Sequence, residues 1–131
     1  MRLLLDTHIW LWSLLAPERL TSRVARALGN SANELWLSPL SVWELTVLVE
    51  RQRVVLDRAV DAWVSEAMSR VPLKEAPITS EVALQTRQAG LSHRDPVDRF
   101  LVATARVFDL TLVTGDRRIL AATGVSVLAN R

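Results

Sequence analysis

The apolar residues of this chain fall into two alternating kinds of block. Compact runs occur at Leu3-Leu4-Leu5, Leu35-Trp36-Leu37, Leu110-Thr111-Leu112-Val113-Thr114 and Val125-Ser126-Val127-Leu128. They are too short for helices, and in the first two both faces are apolar, as expected of strands buried between two layers. Between them the apolar positions recur at helical spacing. His8 to Leu15 reads as a short helix, and Thr21 or Ser22 is positioned to cap a second one ending near Gly29. Ser38-Pro39 opens a third, with serine as N-cap and proline in the first turn. It carries Leu40, Val42, Trp43, Leu45, Val47, Leu48 and Val49, and so much apolar surface predicts extensive burial. A further helix is expected from Asp57, with Val60, Trp63, Val64 and Met68 on one face. Another runs from Thr79-Ser80 to about Gln88, ending at Gly90, and one from Asp95-Pro96 to Phe108. Gly115-Asp116 turns into a last short helix. Val71 to Ile78, which includes Pro72 and Pro77, reads as an edge strand or loop. Buried strands alternating with helices predict an α/β fold with a mostly parallel sheet.

Composition narrows the picture. The chain has 131 residues, half of them apolar, which suits one domain spanning 1–131 rather than two cores. There is no cysteine, so disulfides, thiolate metal sites and thiol nucleophiles are excluded. No stretch approaches the roughly 18 apolar residues of a membrane span. Asp6 and His8 interrupt the apolar start, and no small-residue cleavage site follows, so the expected location is cytoplasmic. The pI of about 10.3 overstates a net charge of only +2, because Tyr and Cys are absent and little titrates between neutral pH and arginine. Of the sixteen Lys and Arg residues only Lys74 is a lysine, and arginine suits bidentate phosphate contacts.

Four carboxylates stand where such a fold puts chemistry. Asp6 ends the first strand, and Asp116 lies just beyond the strand ending at Thr114. If those strands are neighbours, both acids face one crevice at the carboxyl edge of the sheet. Glu44 and Asp98 sit early in apolar helices, where an unpaired carboxylate is costly and a shared cation removes the cost. Hard oxygen ligands favour Mg²⁺ or Mn²⁺. Asp95, before Pro96, is a natural N-cap. Thr7 and Thr114 place hydroxyls beside the acids, and Arg94, Arg99, Arg117 and Arg118 flank them. His8 and His93 are candidate proton donors near neutral pH. Of the five tryptophans, Trp10, Trp36, Trp43 and Trp63 are expected in the core, with Trp12 the best candidate for an exposed partner surface.

Several enzyme classes are excluded by what is missing. A phosphatase with an aspartyl nucleophile wants a second Asp two residues after Asp6, where His8 stands. A phosphoreceiver wants a lysine after a late strand. No Gly-rich phosphate loop and no Gly-x-Ser-x-Gly elbow occurs.

Taken in order, Leu-Leu-Leu-Asp6-Thr7-His8, Ser38-Pro-Leu-Ser-Val-Trp-Glu44, His93-Arg-Asp95-Pro-Val-Asp98-Arg99 and Leu112-Val-Thr114-Gly-Asp116 resemble the successive motifs of PIN domains. The His-Arg-Asp-Pro-x-Asp-Arg stretch is especially similar to a subgroup of VapC toxins. The resemblance implies a three-layer α/β/α fold. It also implies Mg²⁺- or Mn²⁺-dependent cleavage of RNA to 5′-phosphate and 3′-hydroxyl ends, a small antitoxin protein as partner, and a homodimer. By position it implies Asp6, Asp98 and Asp116 as metal ligands, and Glu44 as a fourth catalytic acid that holds metal or orients water. The different-class alternative is a noncatalytic module that binds RNA or protein. A housekeeping RNA-processing nuclease is the alternative within the class.

Overall fold

The computed structural model describes residues 1–88, 95–122 and 124–131. Five strands form one sheet: β1 (Arg2–Leu5), β2 (Glu34–Leu37), β3 (Lys74–Glu75), β4 (Thr111–Thr114) and β5 (Ser126–Ala129). Their order is β3-β2-β1-β4-β5, and every pairing is parallel. The helices are α1 (Thr7–Leu15), α2 (Ser22–Gly29), α3 (Pro39–Glu50), α4 (Val60–Arg70), α5 (Ser80–Gln85), α6 (Pro96–Phe108) and α7 (Arg117–Leu120), with 3₁₀ turns at Pro17–Arg19 and Thr86–Gln88.

The period-2 geometry of β1 divides the core. Leu3 and Leu5 point into one cluster, with Ile9 and Trp10 of α1, Val24 of α2, Leu45 of α3 and Ala67 of α4. Leu4 points the opposite way, into a second cluster with Leu101, Val102 and Ala105 of α6 and Ile119 of α7. Helices thus cover both faces of the sheet, giving the expected three α/β/α layers. The apolar positions of α4 (Val60, Trp63, Val64, Met68) all pack onto the first cluster.

The Pro72-to-Pro77 segment yields the short edge strand β3, where Lys74 Nζ reaches Glu34 Oε2 on β2 at 2.9 Å. Three expectations need correction. The helix expected from Asp57 starts at Val60, because the Asp57 carboxylate is engaged by Arg58, at 3.0 and 3.1 Å, instead of capping. The helix after Thr79 tightens into a 3₁₀ turn at Thr86, and Gly90 lies outside the described residues. Finally, α3 is not buried throughout. Ser41 and Leu45 are buried, but Trp43 is 54% exposed. No helix among the described residues is long and apolar enough to cross a membrane.

Candidate active site

The strand order reverses direction between β1 and β4, and a crevice opens at that switch point, beyond the carboxyl ends of the strands. Leu5 pairs with Val113, and Asp6 N donates to Val113 O at 3.0 Å, so Asp6 and Thr114 leave the sheet side by side. Asp6 occupies the N-cap position of α1, yet its side chain makes no capping bond. Its Oδ2 accepts from Thr114 Oγ1 at 2.7 Å instead. The same hydroxyl accepts from Asp116 N at 3.1 Å. Asp116 in turn caps α7, its Oδ1 accepting from Arg118 N at 2.8 Å.

The opposite wall comes from α3 and α6. Ser38 caps α3 through a 3.1 Å bond from Leu40 N, which sets the helix so that Ser41 and Glu44 face α1. The buried Thr7 hydroxyl donates to Glu44 Oε1 and lies 2.9 Å from Ser41 Oγ. Asp95 caps α6, its Oδ1 accepting from Val97 N at 3.0 Å, and Pro96 stands at the first helical position. Asp98 lies in the first turn.

Asp6, Glu44, Asp95, Asp98 and Asp116 all line one cleft of about 600 Å³, together with His8, Trp12, Arg19, Asn130 and Arg131. Three of these acids, Asp6, Glu44 and Asp98, are held against ionisation. Burial, followed by the charges of Asp95, Asp6, Asp116 and Glu44, pushes the Asp98 carboxyl up to about 7. Burial also raises Asp6, against the Thr114 hydrogen bond and the nearby His8, which favour its charged form. Glu44 is raised by burial and by Asp6 and Asp95, opposed by the Thr7 hydroxyl.

Not every candidate faces the cleft. Thr7 and Thr114 lie buried beneath it, bonded to its acids. Arg99 Nη2 donates to the Thr86 carbonyl at 2.9 Å, and neither Arg99 nor Arg117 lines the cleft. Arg118 Nε lies 3.8 Å from Asp116 Oδ1. His93 and Arg94 lie outside the described residues. Trp12, expected on an exposed partner surface, instead packs partly buried against the core and edges the cleft. The exposed tryptophan is Trp43. It lines an apolar groove of about 620 Å³ with Leu40, Val47, Leu48, Val97 and Phe100, adjoining Glu44 and Asp95. Residue-by-residue reading missed Ser41, Arg19, Asn130 and Arg131. The last two had a signal: they come directly after β5, and in a parallel sheet every strand delivers its next residues to the same edge.

The donor set suits a hard divalent cation: carboxylate oxygens, mutually repelling, in one cleft. Among the described residues no three of these groups stand together at ligating distance. Mg²⁺ commonly keeps several waters and takes only one or two carboxylates directly, so a preassembled cage is not required of the protein. On this chemistry the residues fit such an ion.

The chain matches the PIN domain family over residues 3–125. It belongs to the PIN domain family. This PIN domain is 34% identical over 119 residues to Ribonuclease VapC22 of Mycobacterium tuberculosis, covering 88% of each chain. Solved structures share the fold at lower identity. A chain of VapBC2 from Rickettsia felis, bound to a DNA fragment from its promoter, superposes with a TM-score of 0.73 at 15% identity, over 98% of both chains. One of DNA-bound VapBC from Salmonella typhimurium gives 0.72 at 16%, over 100% of this chain and 99% of that one. A chain of FitAcB from Neisseria gonorrhoeae gives 0.66 at 23%, over 98% and 97%.

Proposed function

We propose that this PIN domain is a divalent-metal-dependent endoribonuclease, acting as the toxin of a toxin–antitoxin pair. The observation that carries the reading is the gathering of Asp6, Glu44, Asp98 and Asp116, from four separate elements, on one cleft. Its likeness to a relative named as a ribonuclease supports the substrate class. Structural neighbours that are VapBC proteins support an antitoxin partner.

In this reading Asp6, Asp98 and Asp116 hold Mg²⁺ or Mn²⁺. Such an ion supplies two things: a lowered pKa for a bound water, and polarisation of the phosphate. The protein's own groups do the rest. Thr114 orients the Asp6 carboxylate and ties the Asp116 backbone beside it. Glu44, aimed by Thr7, takes the proton of the attacking water. The water oxygen bonds to phosphorus, the bond to the 3′ oxygen breaks, that oxygen takes a proton from solvent water, and a 5′-phosphate and a 3′-hydroxyl result. The exposed groove along α3 is the proposed homodimer surface.

One observation favours a second reading. Among the described residues no three of the acids stand together at ligating distance, and a noncatalytic module that binds RNA or protein needs no such cluster. The two separate in one experiment. Purified, antitoxin-free protein is incubated with total tRNA and ribosomal RNA, in Mg²⁺, Mn²⁺ or EDTA, beside Asp98→Asn. Cleavage that needs metal and disappears in Asp98→Asn establishes the nuclease. Absence of cleavage, with no metal uptake by calorimetry, favours the binding module, and metal uptake without cleavage points to a narrower RNA substrate.

A further inference from the structure

One rim of the acid cleft carries a run of three side chains, two of which, Trp12 and Arg19, make no hydrogen bond or ion pair with its carboxylates among the described residues. His8 and Trp12 lie one turn apart on α1, with ring centroids 5.6 Å apart and planes tilted by 51°. Arg19 Cζ sits 5.5 Å from the centroid of the Trp12 ring. All three residues line the cleft. The guanidinium therefore rests on an aromatic face, an arrangement favourable in its own right.

The turn that bears Arg19 is pinned from the far end of the chain. Asn130 Nδ2 donates to the Arg19 carbonyl at 3.1 Å, and Asn130 Oδ1 accepts from Thr21 N at 2.8 Å. Asn130 N donates to Thr114 O at 2.9 Å. The strand edge that aligns Asp6 and Asp116 thus also fixes where Arg19 stands. Five carboxylates line the same cleft, Asp6, Glu44, Asp95, Asp98 and Asp116, yet among the described residues no ion pair includes Arg19. The cation is held at the cleft without being neutralised by it.

A polyanionic strand approaching five acids is repelled unless a cation receives it first. A guanidinium stacked on one face keeps its N–H fork turned outward, in the geometry that matches a phosphate. We propose that Arg19, held over Trp12, binds a backbone phosphate of the RNA strand entering the acid cleft, with Trp12 as its positioning residue. The proposal rests on the ribonuclease reading.

Its test uses a short fluorescein-labelled single-stranded RNA and the full chain carrying Asp98→Asn, which leaves the RNA intact. Anisotropy titrations are run over a KCl series, with Arg19→Gln, Arg19→Lys, Trp12→Phe or Trp12→Leu added. Arg19→Gln is expected to weaken binding about tenfold and to lower the salt slope by about one. Arg19→Lys keeps the slope but loses affinity. Trp12→Leu does the same, and Trp12→Phe restores most of it. In the otherwise unaltered enzyme, Arg19→Gln raises KM about tenfold and changes kcat less than about twofold, because the contact lies away from the reacting atoms. Unchanged affinity and slope in Arg19→Gln, with the parent enzyme still cutting RNA, would make Arg19 a structural latch and overturn the proposal alone. A parent protein that neither cuts nor binds RNA would overturn the ribonuclease reading, and this inference with it.

Discussion

Thr114 Oγ1 lies 2.7 Å from Asp6 Oδ2, as donor, and 3.1 Å from Asp116 N, as acceptor. One hydroxyl, fully buried, thereby sets the spacing of two acids about 110 positions apart in the chain. Thr114→Val keeps the shape and removes both bonds where water cannot replace them. We expect a stability loss of about 1–3 kcal/mol, read by denaturant unfolding. RNA cleavage should fall about 10–100-fold, and Thr114→Ser should recover most of both.

The Thr7–Glu44 contact makes a different prediction, in pH. The Thr7 hydroxyl favours the charged form of Glu44, while burial and the neighbouring acids oppose it. Thr7→Val removes the favourable influence and raises the Glu44 pKa further. If Glu44 acts ionised, the rising limb of the pH–rate profile moves to higher pH, and Thr7→Ser moves it back. An unmoved limb in Thr7→Val would take Glu44 out of the proton transfer.

Asp98 links the site to stability. Its carboxyl is raised from 3.8 to about 7, so between those values the folded protein holds a proton that the unfolded chain has released. Metal-free stability from this group is therefore fully present below about 4 and is lost as pH rises through about 7. Thermal melts in EDTA should show the melting temperature falling over this window. Asp98→Asn should flatten that fall and melt higher than the parent at pH 8, while losing cleavage. Added Mg²⁺ should stabilise the parent at pH 8 and do little for Asp98→Asn.

Trp43 is 54% exposed on α3 beside Val47 and Phe100. Trp43→Glu should change stability by no more than about 0.5 kcal/mol. If the α3 groove joins two copies, sedimentation should find the variant monomeric where the parent is dimeric. A variant that still dimerises would move the interface elsewhere.

The layered fold was legible because both its periodicities are strong. Leu3-Leu4-Leu5 and Leu35-Trp36-Leu37 are apolar on successive residues, as only doubly covered strands need be, and Ser38-Pro39 and Asp95-Pro96 announce helix starts chemically. The acids could be placed from the strand ends: Asp6 and Asp116 share one edge once the sheet is read as parallel. Side-chain partnership was not legible. Nothing in the sequence says that Thr114 turns Asp6 away from capping α1, or that Thr86 takes Arg99. The pattern puts the start of α4 too early, at Asp57, because it does not show that the adjacent Arg58 takes its carboxylate. The burial of α3 was overestimated because apolar composition does not tell an inward face from one that awaits company.

The cleft is assembled from both ends of the chain. Asp6 directly follows β1, whereas Thr114, Asp116 and Asn130 belong to β4, β5 and the few residues beyond each. Until β4 has zipped onto β1, Asp6 lacks its donor, Asp116 its neighbour and the Arg19 turn its clamp. In the proposed nuclease, activity therefore waits on the pairing of β1 with β4, whose partners Leu3 and Thr111 stand far apart along the chain.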